Sequence, residues 1–71
     1  MKLTGKFNVV ERLPNSANGN PRFLCMVDGV AFRTAPDSRF TPSITNYQDK
    51  IVTVKLRVFY ARWTLAEIKE V

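Results

Sequence analysis

Asp28-Gly29 lies between two apolar, alternating runs, residues 23–27 and 30–35, and no other feature of the chain constrains the fold as tightly. A two-residue hairpin of type I′ needs positive φ at both central positions, and Asp-Gly supplies them. The register that follows pairs Val27 with Val30, Cys25 with Phe32 and Phe23 with Thr34. Those side chains form the natural core face. The opposite face carries Arg22, Leu24, Met26, Ala31 and Arg33, a mixture of apolar and basic groups unlike a plain solvated surface.

Period-two alternation extends through most of the chain. Leu3, Gly5, Phe7 and Val9 alternate with Lys2, Thr4, Lys6 and Asn8, which describes a half-buried strand with a basic outer face. Gly5 within that run predicts a bulge or a sharp bend. Pro14 ends the strand, and residues 14–20 form a polar, turn-rich loop. Pro36 stops the third strand. Residues 37–48 show no lasting alternation and read as an irregular link with one helical turn, pinned to the core by Phe40, Ile44 or Tyr47.

Residues 50–58 form another strand, with Val52, Val54, Leu56 and Val58 inward and Thr53, Lys55 and Arg57 outward. The last stretch, residues 62–71, begins as a strand through Trp63 and Leu65, after which the apolar spacing slips to Ile68 and Val71. A bulge near Ala66 restores the face. A short terminal helix competes, because Thr64-Leu65-Ala66-Glu67 fits a capping box. The bulged strand is favoured, since it pairs with its predecessor through a turn at residues 59–62.

The order is a three-strand meander, an irregular or one-turn helical link and a final hairpin. In 71 residues this makes one all-β domain spanning 1–71. A small sheet leaves two exposed edges unless it curls, so a five-stranded barrel is expected, OB-like with an SH3-like barrel as the alternative.

Several chemistries are poorly served. The chain has no histidine, which removes the commonest general base and most zinc sites. A lone Cys25 between Leu24 and Met26 reads as a packed residue, not an activated thiol. The six carboxylates lack calcium-loop spacing, and Asn18-Gly19-Asn20 is not a phosphate-cradling loop followed by a helix. A non-enzymatic protein without cofactor or metal is expected. No apolar run approaches the ~18 residues of a membrane span and no signal-peptide core is evident, so the expected location is cytoplasmic.

The formal charge of +5 favours an anionic partner. No acid interrupts residues 50–66, which hold Lys50, Lys55, Arg57 and Arg62. Outward Lys55 and Arg57, with outward Lys2 and Lys6, would form basic stripes suited to phosphates. Phe59, Tyr60 and Trp63 lie at or beside the last turn. Tyr60 is the stacking candidate, because a turn leaves its ring free. Trp63 is assigned to the core, opposite Val58.

The run Asn18-Gly19-Asn20-Pro21-Arg22-Phe23 resembles the passage from loop to second strand in some OB-fold proteins that bind single-stranded DNA, small phage ones included. Asp49-Lys50-Ile51-Val52-Thr53-Val54, with residues 65–71 behind it, is similar to the closing hairpin of OB domains. The Asn-Ser-x-Asn-Gly-Asn-Pro-Arg loop also resembles that of uncharacterised small phage proteins. These two short patches imply nucleic-acid contacts at Asn18, Asn20, Arg22, Leu24 and Arg33. The aromatic platform of the family is thin here, because Phe23 and Phe32 fall on the core face.

The expected function is therefore binding of nucleic acid, single-stranded, through Asn18, Asn20, Arg22, Arg33, Lys55, Arg57, Tyr60 and Arg62. The alternative is a phage or mobile-element module that binds and modulates a host protein. Its surface would be the patch of Val10, Leu24, Met26 and Ala31, with arginines at the rim. The same patch would equally serve a homodimer.

Overall fold

The computed structural model describes residues 1–35 and 41–71, and within them it is all-β apart from one short helix. The elements are β1 (Lys2–Lys6), β2 (Asn8–Leu13), β3 (Arg22–Val27), β4 (Val30–Arg33), a 3-10 helix (Thr41–Tyr47), β5 (Ile51–Phe59) and β6 (Arg62–Glu70). They form one six-stranded sheet in the order β1-β5-β6-β4-β3-β2. The expected five strands become six because the first alternating run divides at Phe7. Its first half pairs with β5 and its second half with β3. The sheet is not closed into a barrel: its outer strands β1 and β2 are joined by the chain and not by a ladder.

Phe7 can make this change of partner because its backbone groups are satisfied elsewhere. Its N–H donates to the Lys50 carbonyl at 2.9 Å, and its carbonyl accepts from the Asp49 N–H at 2.9 Å. The bend expected at Gly5 therefore lies two residues later. Gly5 sits in regular register opposite Val52. What it offers is closeness, since a Cβ there would stand 3.4 Å from both Val27 Cγ1 and the Asp28 nitrogen. The bulge of this region is at Val10, where the β2–β3 register shifts between Val9 and Glu11.

The Asp28-Gly29 turn has the expected conformation, with φ of 51° and 75°. Val27 opposes Val30 and Cys25 opposes Phe32. Thr34 extends the match by a side-chain route: its N–H donates to the Phe23 carbonyl at 3.0 Å, and its hydroxyl oxygen accepts from the Phe23 N–H at 2.9 Å. The last strand runs to Glu70 as a bulged strand and not a helix. Lys55 opposes Glu67 while Leu56 opposes Leu65, which leaves Ala66 as the extra residue and keeps both leucines buried. A single parallel bridge, Arg33 to Thr64, joins β4 to β6.

The core is built from Phe7, Cys25, Val27, Phe32, Ile44, Val52, Val54, Leu56 and Leu65. Phe7 sits at its centre, 6.3 Å from the Phe32 ring and 6.2 Å, edge-on, from Tyr47. Ile44 is fully buried and Tyr47 packs on the core, so both pin the link as anticipated. Truncating a buried Ile to Ala costs about 2–5 kcal/mol. Pro36 and Phe40 lie outside the described residues. The link's helix, at seven residues, is longer than the single turn expected.

Val58 and Trp63 depart from the inward assignment. They do oppose each other across the hairpin. Yet Val58 is 64% exposed and Trp63 39% exposed. Alternation fixes the side on which a residue points, not whether anything covers it. β5 and β6 each run nine residues while β4 has four, so the hairpin tip reaches past the strands that would bury it.

Candidate functional site

Three arginines from different strands converge where β3 begins, β4 ends and β6 begins. Arg22 is the first residue of β3, Arg33 the last of β4 and Arg62 the first of β6. They line a cleft of about 150 Å³, together with Thr34, Thr64 and the Phe59-Tyr60 corner of the last turn. The Arg33–Thr64 bridge holds the β4 and β6 walls together. No acid lines the cleft among the described residues.

Two polar groups at the cleft carry a donor with no acceptor among the described residues. Arg22 Nε is buried and has no hydrogen-bond partner among the described residues. A buried donor left unpaired costs about 1–3 kcal/mol, and more when charged. The Thr34 hydroxyl accepts from the Phe23 N–H, so its own proton remains available to donate. The Thr64 hydroxyl donates to the Arg62 carbonyl at 3.2 Å, which steadies the start of β6.

The turn beside the cleft is strained. Tyr60 and Ala61 both have positive φ, 51° and 60°. A type I′ hairpin demands that conformation, but residues with a Cβ pay roughly 1–2 kcal/mol each to adopt it. The Tyr60 ring is 86% exposed and meets the Phe59 ring edge-on with centroids 4.5 Å apart. Strained turn residues often cluster at binding sites.

Of the residues expected to bind nucleic acid, Arg22, Arg33, Tyr60 and Arg62 meet at this cleft. Arg57 is exposed on β5 and opposes Thr64, one strand away from the arginines. Lys55 is not part of the cleft: its ammonium lies 3.5 Å from Glu67. The expected stripe of Lys55, Lys2 and Lys6 is thus interrupted. Lys2 does oppose Lys55, but Lys6 lies 3.6 Å from Asp49, and Lys50 lies 3.2 Å from Glu70. These exposed pairs contribute little stability. Their effect is to offset positive charge on that part of the sheet, whereas no acid offsets the three arginines among the described residues lining the cleft.

Asn18 and Asn20 are exposed in the β2–β3 loop and do not line the cleft. The loop is closed on itself: the Ser16 N–H donates to the Asn20 carbonyl at 2.8 Å, and the Gly19 N–H to the Ser16 carbonyl at 2.9 Å. Arg12 reaches Asn15 at 2.9 Å across its base.

The apolar patch is present in part. Leu24 and Met26 are half-buried, Ala31 is exposed opposite Met26, and Val10 is 49% exposed at the bulge. Leu24 and Ala31 help line a depression of about 270 Å³ with Trp63, and it shares Arg33 and Arg62 with the cleft. Residue reading missed Trp63, Thr34 and Thr64 as surface-lining groups. The unequal strand lengths were the available signal for Trp63; the two threonines depend on the β4–β6 bridge, which no local pattern announces.

Among the described residues no three of the His, Cys, Asp and Glu side chains come together as a metal site, and no helix is long and apolar enough to cross a membrane. Cys25 is buried in the core, and burial pushes its thiol up to about 12. Compared with protein families, with curated proteins and with solved structures, the chain matches none.

Proposed function

We propose that this protein binds single-stranded nucleic acid at the arginine cleft, by phosphate neutralisation and ring stacking and without catalysis. One observation carries the reading: Arg22, Arg33 and Arg62 converge beside the exposed Phe59-Tyr60 pair with no acid among the described lining residues. Cations to hold the backbone and a sequence-tolerant aromatic face are what single-strand binders combine.

The strand order lends further support. With β1 and β2 taken as halves of one bent strand, the pairing runs first to second, second to third, third to fifth, fifth to fourth and fourth to first. That is the order of an OB-type, partly open Greek-key barrel, and the parallel β4–β6 contact favours it over the SH3-like order. OB domains bind oligonucleotides with the second and third strands and the two loops that here are residues 14–21 and the Tyr60-Ala61 turn. The cleft lies beside them. A lone, buried Cys25 suits a reducing compartment, and a cytoplasmic location fits this reading.

Titration of a fluorescent oligothymidylate at several salt concentrations tests the proposal. Affinity should fall linearly with salt concentration on logarithmic axes. Absence of binding at low salt overturns it.

A second reading is a module that docks on a protein, phage-encoded or from a mobile element. The depression containing Trp63 and Leu24, rimmed by Arg33 and Arg62, favours it, because aromatic anchors with arginine at the edge mark interfaces. Replacing Leu24 and Met26 with serine separates the two: oligonucleotide binding survives, while protein partnership or self-association is lost. Capture from a host lysate with and without nuclease gives the same distinction.

A further inference from the structure

We infer that the arginine cleft is a pocket for a single phosphate monoester, the phosphorylated end of a nucleic-acid strand, and not a stretch of groove through which a strand passes. The inference rests on the nucleic-acid reading above and specifies which part of the ligand the cleft takes.

Three features lead there. The first is charge. Arg22, Arg33 and Arg62 all line one small volume, with no acid among the described residues lining it. An interior phosphodiester brings one negative charge, whereas a phosphate monoester brings about −1.5 to −2 at neutral pH. Convergent arginines match the more highly charged group and its larger number of acceptor oxygens.

The second is size. A cleft of about 150 Å³ equals roughly five water volumes. It holds a phosphate-sized group and opens to solvent. A sugar and base attached to that group extend from the open side, where the exposed Tyr60, steadied edge-on by Phe59, lines the same cleft.

The third is a pair of donors without an acceptor. Arg22 Nε is buried without a partner among the described residues, and the Thr34 hydroxyl has its acceptor side filled by the Phe23 N–H. Both groups are left to donate, and neither has a described acceptor. A strand passing along the sheet would instead need cations distributed over successive phosphates. Of the described cations that could have continued the row, Lys6, Lys50 and Lys55 are paired with Asp49, Glu70 and Glu67, and the exposed Arg57 opposite Thr64 is the one left beside the cleft.

The test compares short oligothymidylates identical except for their ends: 5′-phosphate, 3′-phosphate, or hydroxyl at both. Competition against a labelled oligomer is measured for each, with thymidine 5′-monophosphate and inorganic phosphate as further competitors. One phosphorylated form should bind about tenfold more tightly than the hydroxyl form, as added charge-assisted hydrogen bonds imply. Arg22→Gln should abolish that advantage. Arg62→Gln, at an exposed hairpin position, should do the same without any question of misfolding. Competition by thymidine 5′-monophosphate as strong as by the phosphorylated oligomer would identify a free nucleotide as the source of the same group. Equal affinity for all ends overturns the inference and leaves the single-strand reading standing. No binding of any oligomer overturns both.

Discussion

The Phe59 ring meets the Tyr60 ring edge-on at a centroid separation of 4.5 Å, across a backbone that turns left-handed at Tyr60. The contact is local, yet it holds a largely exposed ring beside three arginines. Tyr60→Ala should weaken oligonucleotide binding by about 1–3 kcal/mol, the usual contribution of one stacked base. Because the ring is solvent-facing, thermal stability should change little. Fluorescence anisotropy and a melting curve on the same sample check both halves.

Ala61 occupies a conformation that glycine adopts without cost. Ala61→Gly should therefore stabilise the fold by about 1 kcal/mol, seen as a higher urea midpoint with unchanged slope. An unchanged or lower midpoint would show that the turn is not strained.

Gly29 presents the converse case. Its φ of 75° is reached without penalty, and the turn it completes sets the β3–β4 register. Gly29→Val should cost at least about 1–2 kcal/mol, since a β-branched residue resists positive φ. Chemical denaturation measures the loss.

The cations divide into two groups that salt dependence can separate. Arg33 lines the cleft, whereas Lys55 lies against Glu67. Arg33→Ala should weaken binding and flatten its salt dependence, while Lys55→Ala should leave both nearly unchanged. Equal effects would mean that the acidic residues of β6 do not shield their neighbours.

Cys25 links the core to pH. Burial raises its pKa from 9.0 to about 12. The unfolded thiol ionises first as pH rises, so its contribution is intact below 9.0 and declines between 9.0 and about 12. Cys25→Ala should remove that part of the alkaline decline, at some cost in packing. Thiol-reagent kinetics give an independent reading: modification should be slow in the native protein and rapid in denaturant.

Much of this fold was legible because its signals are local. Asp28-Gly29 specifies a turn whose geometry admits one register, and that register assigned Val27, Cys25 and Phe32 to the core. The slip in spacing after Leu65 implied the extra residue at Ala66. Phe7 was less transparent. An alternating run reads the same whether it keeps one partner or changes partners midway, and the change depends on bonds to Asp49 and Lys50, far along the chain.

The candidate site divides along the same line. Its residue types were evident from composition and turns: arginines on the outer face, an aromatic ring at the hairpin tip and no histidine. On sequence alone Lys55 groups with them, because a stretch of chain without acids reads as basic. Glu67 reaches it from the neighbouring strand, which charge order along the chain does not reveal.

By itself, then, the sequence determined which stretches are extended, the side on which each residue points and the hairpin turns, since alternation and turn chemistry act within a few residues. Only the tertiary structure decided that Arg22, Arg33 and Arg62 share one cleft and that Val58 and Trp63 stand in solvent. The physical reason is that convergence and exposure depend on which strands become neighbours and how far each extends. Here a single parallel bridge between β4 and β6 and one over-long hairpin settle both.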